Sequence, residues 1–267
     1  LADLEALLSE TLECPATVSA VGAVSFTEDA SLGQEAYRLT VDGQGVHIAY
    51  AARSGAYYAL VTLGQLLHQT PDALSFCGIE DEPSLAVRGY MIDISRGKVP
   101  TLEDLCRQAD RLAKMKYNQV QLYVEGFSFA YPSFPEVWKD VTPITGEEVQ
   151  YFDAYCEARG IELVPNQNSL GHMSAWLARD EFKHLSEMRE SDQGMAFMGN
   201  PMPASTLDAM DPASLDLVTA MMDDMMQFFH SDKFNVNLDE PFELGKGKNK
   251  ALAEEKGEEY LYMDYLK

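Results

Sequence analysis

Phe234-Asn235-Val236-Asn237-Leu238-Asp239-Glu240-Pro241 is the stretch that decides how this chain is built. Apolar and polar residues alternate from Phe234 to Leu238, as in a half-buried strand, and Pro241 cannot continue a hydrogen-bond ladder. The two acids therefore stand where strand gives way to loop. In β/α architectures that C-terminal edge collects catalytic groups. Neighbouring strand side chains face opposite ways, so Asp239 and Glu240 can take different jobs, one held ionised and one retained as a proton donor. The plain alternative is a pair of solvated acids in a very acidic protein.

Upstream, strands and helices alternate. Strand patterns cover 87–94, 120–124 and 161–164, the last ending at Pro165. Thr101 with Asp104 opens a helix whose apolar stripe is Leu102, Leu105, Cys106, Ala109, Leu112 and Ala113. Thr145 with Glu148 caps a helix running through Arg159, another begins near Ser174, and a Met-rich one covers 215–229. Four β/α units in succession predict parallel strands. A long aromatic, Pro-rich loop over 127–143 follows the second strand, and loops of that length commonly carry function.

The N-terminal third reads as a smaller α+β unit. Strand patterns at 37–41 and 46–50 flank the turn Asp42-Gly43-Gln44-Gly45, and a helix over 54–68 has Ser54 as its expected cap. Residues 1–12 read as an amphipathic helix without the basic start of a signal peptide. Pro71 and Glu80-Asp81-Glu82-Pro83 mark a linker, which places domains at 1–83 and 84–267.

The 267 residues, 46% of them hydrophobic, suffice for a real core. A net charge of -23 argues against nucleic acid as a partner and against anionic membranes; it fits a neutral or cationic substrate. No stretch reaches the length of a membrane-spanning helix. Cys14, Cys77, Cys106 and Cys156 lack any paired spacing, so neither zinc nor a disulfide framework is expected; Cys106 and Cys156 read as buried free thiols. The compartment leans only mildly to the cytoplasm. Gly245-Lys246-Gly247-Lys248 lacks the spacing and following hydroxyl of a phosphate loop, so no cofactor is indicated and a solvated loop is expected. The pairs Met221-Met222 and Met225-Met226 read as core filler.

If the sheet curls, four strand ends meet on one rim. They bring Arg88 with Asp93 and Arg96, then Glu125, then Asn166-Gln167-Asn168-Ser169-Leu170-Gly171-His172, then Asp239-Glu240. The blocks Arg88-Gly89-Tyr90-Met91-Ile92-Asp93-Ile94-Ser95-Arg96, Lys116-Tyr117-Asn118, Gly171-His172 and Asp239-Glu240, in this order, resemble the β-N-acetylhexosaminidases of glycoside hydrolase family 20. The N-terminal unit, with Glu35-Ala36-Tyr37-Arg38-Leu39 and Thr62-Leu63-Gly64-Gln65-Leu66-Leu67, is similar to that family's accessory domain.

The resemblance implies a (β/α)8 barrel and a retaining glycosidase in which the sugar's own 2-acetamido oxygen attacks the anomeric carbon. By the same resemblance, Glu240 is the general acid and then the base. Asp239 steers the acetamide. Arg88 binds sugar hydroxyls at the pocket floor, and His172 lies beside the acid. Glu125 is carried over as a substrate-binding residue. Asn168 takes the place of the family's acid four positions before the histidine and is expected to orient the imidazole without charging it. Asn166 stands where the family has Glu after the shared Pro165. Trp176 and Trp138 are candidates to stack on a sugar face, with ordinary packing as the plainer role.

Only four β/α units are readable before the acidic stretch 254–267, and the family's later aromatic cage and final Tyr and Asp have no counterpart. The expectation is half a barrel. Two other readings stay open: a barrel glycosidase with Glu125 as a carboxylate nucleophile, and an inactive carbohydrate-binding relative.

Overall fold

The computed structural model describes residues 2–12, 15–17, 23–69, 73–190, 196–197 and 199–267; Cys14 and Pro71, singled out above, lie outside these. The chain divides into two compact units. One holds the N-terminal segment through Tyr90 with Cys106–Gln119 and Tyr155–Glu162; the other holds Met91–Leu105, Val120–Ala154 and Leu163–Lys267.

The first unit opens with α1 (Ala2–Leu12), β1 (Val24–Glu28), β2 (Tyr37–Asp42), β3 (Gly45–Tyr50), α2 (Arg53–Gln69) and β4 (Cys77–Asp81). Its sheet runs β1-β3-β2-β4, with β2 antiparallel to both β3 and β4, and β1 parallel to β3. Alternate residues Tyr37, Leu39 and Val41 of β2 and Val46 and Ile48 of β3 bury one face against Tyr58, Ala59 and Leu63 of α2. The hairpin is as expected from its turn. β1 and β4 escape a pattern reading because four of five β1 residues are exposed and β4 carries Gly78 and two acids. Ser54 is no cap: its hydroxyl donates to the Gln34 carbonyl at 2.8 Å, inside a helix that starts at Arg53.

The barrel portion follows as β5 (Gly89–Asp93), α3 (Leu102–Lys114), β6 (Gln119–Val124), α4 (Pro135–Trp138), α5 (Gly146–Glu157), β7 (Glu162–Gln167), α6 (Ser174–Leu177), the two-residue strands β8 (Ala196–Phe197) and β9 (Asn200–Pro201), α7 (Pro212–Met226), α8 (Lys250–Lys256) and α9 (Glu258–Tyr265). The sheet order is β5-β6-β7. Asn118 N–H donates to Arg88 O at the start of the β5/β6 pair and Ile94 N–H to Tyr123 O at its end. Positions rise together on both strands, so the pair is parallel. The bonds from Glu162 N–H to Asn118 O and Asn168 N–H to Val124 O make β7 parallel to β6 in the same way. Both expected caps form: the Asp104 N–H donates to Thr101 Oγ1 at 3.2 Å, and at Thr145 the box is reciprocal, with Thr145 N–H donating to Glu148 Oε2 at 2.9 Å and Glu148 N–H to Thr145 Oγ1 at 3.2 Å.

Three expectations need correction here. β7 does not stop at Pro165 but runs through it to Gln167. Even-numbered N–H groups of β7 face β6, so the donor that proline lacks falls on the other side, where the next segment begins to pair only at Asn235. The fourth strand contracts to a single parallel bridge, Asn166 to Asn235. Asn237 adopts a left-handed φ of 44° and its N–H turns back onto Asn235 Oδ1 at 3.0 Å, which takes the backbone out of the ladder. Finally, the acidic stretch 254–267 is not a tail. It folds as the end of α8 and all of α9, whose Leu261 is fully buried and whose Tyr262 and Tyr265 hydroxyls donate to Leu238 O at 3.2 Å and Ser169 O at 2.5 Å.

Candidate active site

The C-terminal ends of the strands lie together in the second unit. An amide ladder sets the fourth of them. Gln121 Oε1 on β6 accepts from the Asn166 amide at 2.9 Å and the Asn235 amide at 2.8 Å, and the Asn237 amide donates to Asn166 Oδ1 at 2.9 Å. The polar members of the alternating run therefore face the neighbouring strands and hold Asp239 and Glu240 in register. Asn166, read above only as a departure, is part of this ladder and fully buried.

The two acids converge on one imidazole. His172 Nε2 lies 3.1 Å from Glu240 Oε2 and 3.5 Å from Asp239 Oδ2. On the far side of the ring, Nδ1 is 3.6 Å from Glu125 Oε2. His172 and Glu240 both occupy the left-handed region, at φ 57° and 50°, a strained backbone of the kind that clusters at functional sites. Gly171 makes the convergence possible. A Cβ there would stand 2.3 Å from Asp239 O and 3.0 Å from Glu240 O, so the two loops cross at backbone contact.

Glu125 is held from behind. Its N–H donates to Ser95 Oγ at 2.7 Å, and its Oε2 pairs with the Arg96 guanidinium and lies 3.3 Å from the Tyr123 hydroxyl. Arg96 also lies over the Tyr123 ring, 5.3 Å from its centroid. Burial works to lower the Arg96 pKa, but the bonds to Tyr123 and Glu125 outweigh it and the guanidinium stays charged.

Asn168 does not touch the imidazole as expected. It is fully buried, and with its nitrogen turned toward Asp239 it donates to Asp239 Oδ1 at 2.8 Å and Asn237 O at 3.2 Å while accepting from the Tyr123 hydroxyl at 2.7 Å. The opposite orientation would set its oxygen against two acceptors. Arg88 is the larger correction. It precedes Gly89, at the opposite end of β5 from Asp93 and Arg96, and belongs to the first unit. Its guanidinium is spent on both Glu35 oxygens at 2.9 Å, Tyr58 Oη at 2.9 Å, Leu85 O at 2.7 Å and Lys116 O at 2.7 Å. The arginine that faces the acids' neighbourhood is Arg96, eight residues on; the strand's direction was the signal that separates the two. Trp176 is buried in a cage of Phe127, Tyr131, Phe134 and Phe182, each 5.3 Å away, and presents no face to a sugar. Trp138 is half-buried and donates to Tyr131 O at 2.9 Å.

Residues 86–259 match the model of the glycosyl hydrolase family 20 catalytic domain, and residues 1–82 match that of glycosyl hydrolase family 20, domain 2. The chain belongs to glycosyl hydrolase family 20. A β-hexosaminidase of Akkermansia muciniphila is 33% identical over 179 residues, 60% of this chain and 36% of that protein. An N,N'-diacetylchitobiase of Vibrio harveyi is 24% identical over 254 residues, 83% of this chain and 27% of that protein. Among solved structures, a family 20 exo-β-N-acetylglucosaminidase from Vibrio harveyi in complex with N-acetylglucosamine superposes with a TM-score of 0.81 at 22% identity, covering 97% of this chain and 45% of that one. A Streptomyces plicatus N-acetyl-β-hexosaminidase gives 0.74 at 22% identity over 99% of this chain and 57% of that one. The fold is therefore the small α+β domain and part of the (β/α)8 barrel of family 20. The chain spans between about a quarter and a third of the length of these curated relatives.

In this family 20 chain the loop after the acid pair is fastened at two buried carboxylates that the sequence reading passed over. Glu243 accepts from Ser205 and Thr206 N–H, each at 2.8 Å. Glu187 accepts from Gly247 and Asn249 N–H, each at 3.1 Å, so the stretch 245–248 is tied down rather than solvated. Burial pushes the Glu187 carboxyl up against the pull of those donors. Of the methionine pairs, Met221 and Met225 are buried, whereas Met226 is exposed. Cys156 is buried and Cys106 only partly so. Among the described residues one trio, His172, Asp239 and Glu240, could hold a metal ion, with donor atoms within 4.8 Å of one another; the hydrogen bond of His172 to Glu240 and its charge contact with Asp239 already account for the arrangement. No helix among the described residues is long and apolar enough to cross a membrane.

Proposed function

We propose that this chain carries the acid pair of a β-N-acetylhexosaminidase that removes terminal N-acetylglucosamine or N-acetylgalactosamine by substrate-assisted, retaining hydrolysis. The observation that carries the reading is the convergence of Asp239 and Glu240 on His172 Nε2 at a strand-end rim. The family membership and the activities named for the relatives support it. Glu240 protonates the leaving glycosidic oxygen while the 2-acetamido oxygen attacks the anomeric carbon, and Asp239 accepts from the acetamide N–H and stabilises the cationic ring that forms. Glu240 then takes a proton from the incoming water, and the product keeps the configuration of the substrate. His172, backed by Glu125, holds Glu240 in line, and Arg96 binds sugar hydroxyls in the role first given to Arg88.

The reading with Glu125 as nucleophile loses support, because its Oε2 is engaged by Arg96 and lies beside both Tyr123 and His172. The test is hydrolysis of 4-nitrophenyl β-glycosides followed by proton NMR. Release from the N-acetylglucosaminide but not the glucoside, with the β-anomer formed first, is expected. Equal rates on both sugars, or a sugar trapped covalently on Glu125, would overturn the reading; binding without hydrolysis would make this an inactive relative.

A further inference from the structure

We propose that Asn168, directed by Tyr123, is a positioning residue that fixes the carboxylate of Asp239. The inference rests on the proposed hydrolysis for its kinetic readout but not for its geometry. The chain of donors has one direction. Burial first, then the charges of Asp239 and Glu125, holds the Tyr123 hydroxyl above the ordinary phenol range against the pull of Asn168 and Arg96, so Tyr123 remains a donor. Its contact with Asn168 at 2.7 Å is shorter than that with Glu125 Oε2 at 3.3 Å, and the proton goes to the amide oxygen. With the oxygen so engaged, the amide nitrogen must face Asp239 Oδ1 and Asn237 O. The backbone of Asn168 is itself pinned by its N–H to Val124 O at 3.2 Å, and the side chain is fully buried, so the amide cannot swing away.

Asp239 Oδ2 is left for His172 and the substrate. A charge-assisted hydrogen bond aimed at Oδ1 holds the carboxylate in one rotation. An aspartate at 168 would do the reverse, setting a second carboxylate at hydrogen-bond distance from the first. The other titratable groups around Asp239 are Tyr123 and Glu125 at the end of β6, Arg96 beyond β5, His172 after β7 and the adjacent Glu240; of these, Arg96 is turned to Glu125, and His172 meets Asp239 at Oδ2.

The variants are Asn168→Leu, which removes the donor at similar bulk, Asn168→Asp, which inverts its charge relation, and Tyr123→Phe, which removes the director. In the full-length chain, carbon-13 NMR titration of the Asp239 carboxylate is read first, because it needs no turnover. Its midpoint should rise in Asn168→Leu and Tyr123→Phe, and in Asn168→Asp by about one pH unit or more. An unmoved midpoint in Asn168→Asp overturns the proposal. With 4-nitrophenyl N-acetyl-β-glucosaminide, Asn168→Leu should lose about ten- to a hundredfold in kcat, the rate equivalent of one charged hydrogen bond, with KM within about twofold. The acidic limb of kcat should move up with the midpoint. A loss confined to KM or to the unfolding temperature would reduce Asn168 to a packing residue. If the wild-type chain turns over no N-acetyl sugar, the proposed function fails, and the titration alone still decides whether Asn168 sets Asp239.

Discussion

Glu240 and His172 share an uncommon property for residues with side chains: both sit at positive φ, and their side chains meet at 3.1 Å. Backbone strain of this kind costs about 1–3 kcal/mol per residue and persists only where surroundings enforce it. Gly171 supplies the enforcement by letting the two loops touch. Gly171→Ala should therefore separate the acid pair from His172, lowering kcat/KM by at least about tenfold, the equivalent of one misplaced hydrogen bond. Unchanged kinetics would show that the crossing is incidental. Glu240→Gln should lower turnover on a substrate with a poor leaving group by about two orders of magnitude or more, and far less with 4-nitrophenol as leaving group. The two arginines that flank β5 give a paired test. Arg96→Lys removes a fork that reaches Glu125 and should raise KM or lower kcat at constant stability. Arg88→Met should do the opposite, lowering the unfolding midpoint while the folded fraction turns over normally, because Arg88 is spent on Glu35 and Tyr58. The blocks around these arginines were legible in the sequence. Which of the two faces the site was not, because a motif carries no sense of strand direction until its neighbours are placed.

At the scale of elements, the acid pair is only as well placed as the segments on either side of it. Before it, the amides of Gln121, Asn166, Asn235 and Asn237 replace a regular ladder. After it, Glu243 gathers two backbone N–H groups from 205–206 and Glu187 gathers two more from 247 and 249. Glu243→Ala leaves two buried N–H donors without partners, which costs about 2–4 kcal/mol. Denaturant unfolding should register that loss, with a fall in kcat among the molecules still folded; a stable, fully active variant would refute the anchoring. Alternating hydrophobicity announced β2, β3, β6 and the start of β7, and N-terminal caps announced α3 and α5. It could not announce that the run 234–238 would leave the ladder at Asn237, since that depends on a left-handed backbone and an Asn235 side chain acting locally. Nor could composition reveal that acids in α9 flank apolar Leu261 and two tyrosines docked on strand ends.

For the molecule as a whole, charge and pH act at separate places. In the first unit, burial raises the Glu35 pKa, but the bonds from Arg88, Tyr58 and Asn118 more than offset it, and the folded carboxyl lies below its usual value. A depressed carboxyl contributes stability above the unfolded carboxylate range and loses it as pH falls through the folded value. Glu35→Gln should thus cost about 2 kcal/mol at neutral pH, with the gap to wild type closing below about pH 4. Urea midpoints measured from roughly pH 3 to 8 decide it; a gap that persists at low pH would mean the ion pair is not its source. Under the proposed hydrolysis, a net charge of -23 should also make sulfated N-acetyl sugars poor substrates at low ionic strength, with salt recovering the rate. The amide ladder has a quieter consequence. Gln121, Asn166, Asn235 and Asn237 have no proton to gain or lose in ordinary buffers. The scaffold beneath the acid pair is thus indifferent to acidity, and a bell-shaped rate curve for the proposed hydrolysis would report the chemistry of the acids rather than the loosening of the strand that bears them.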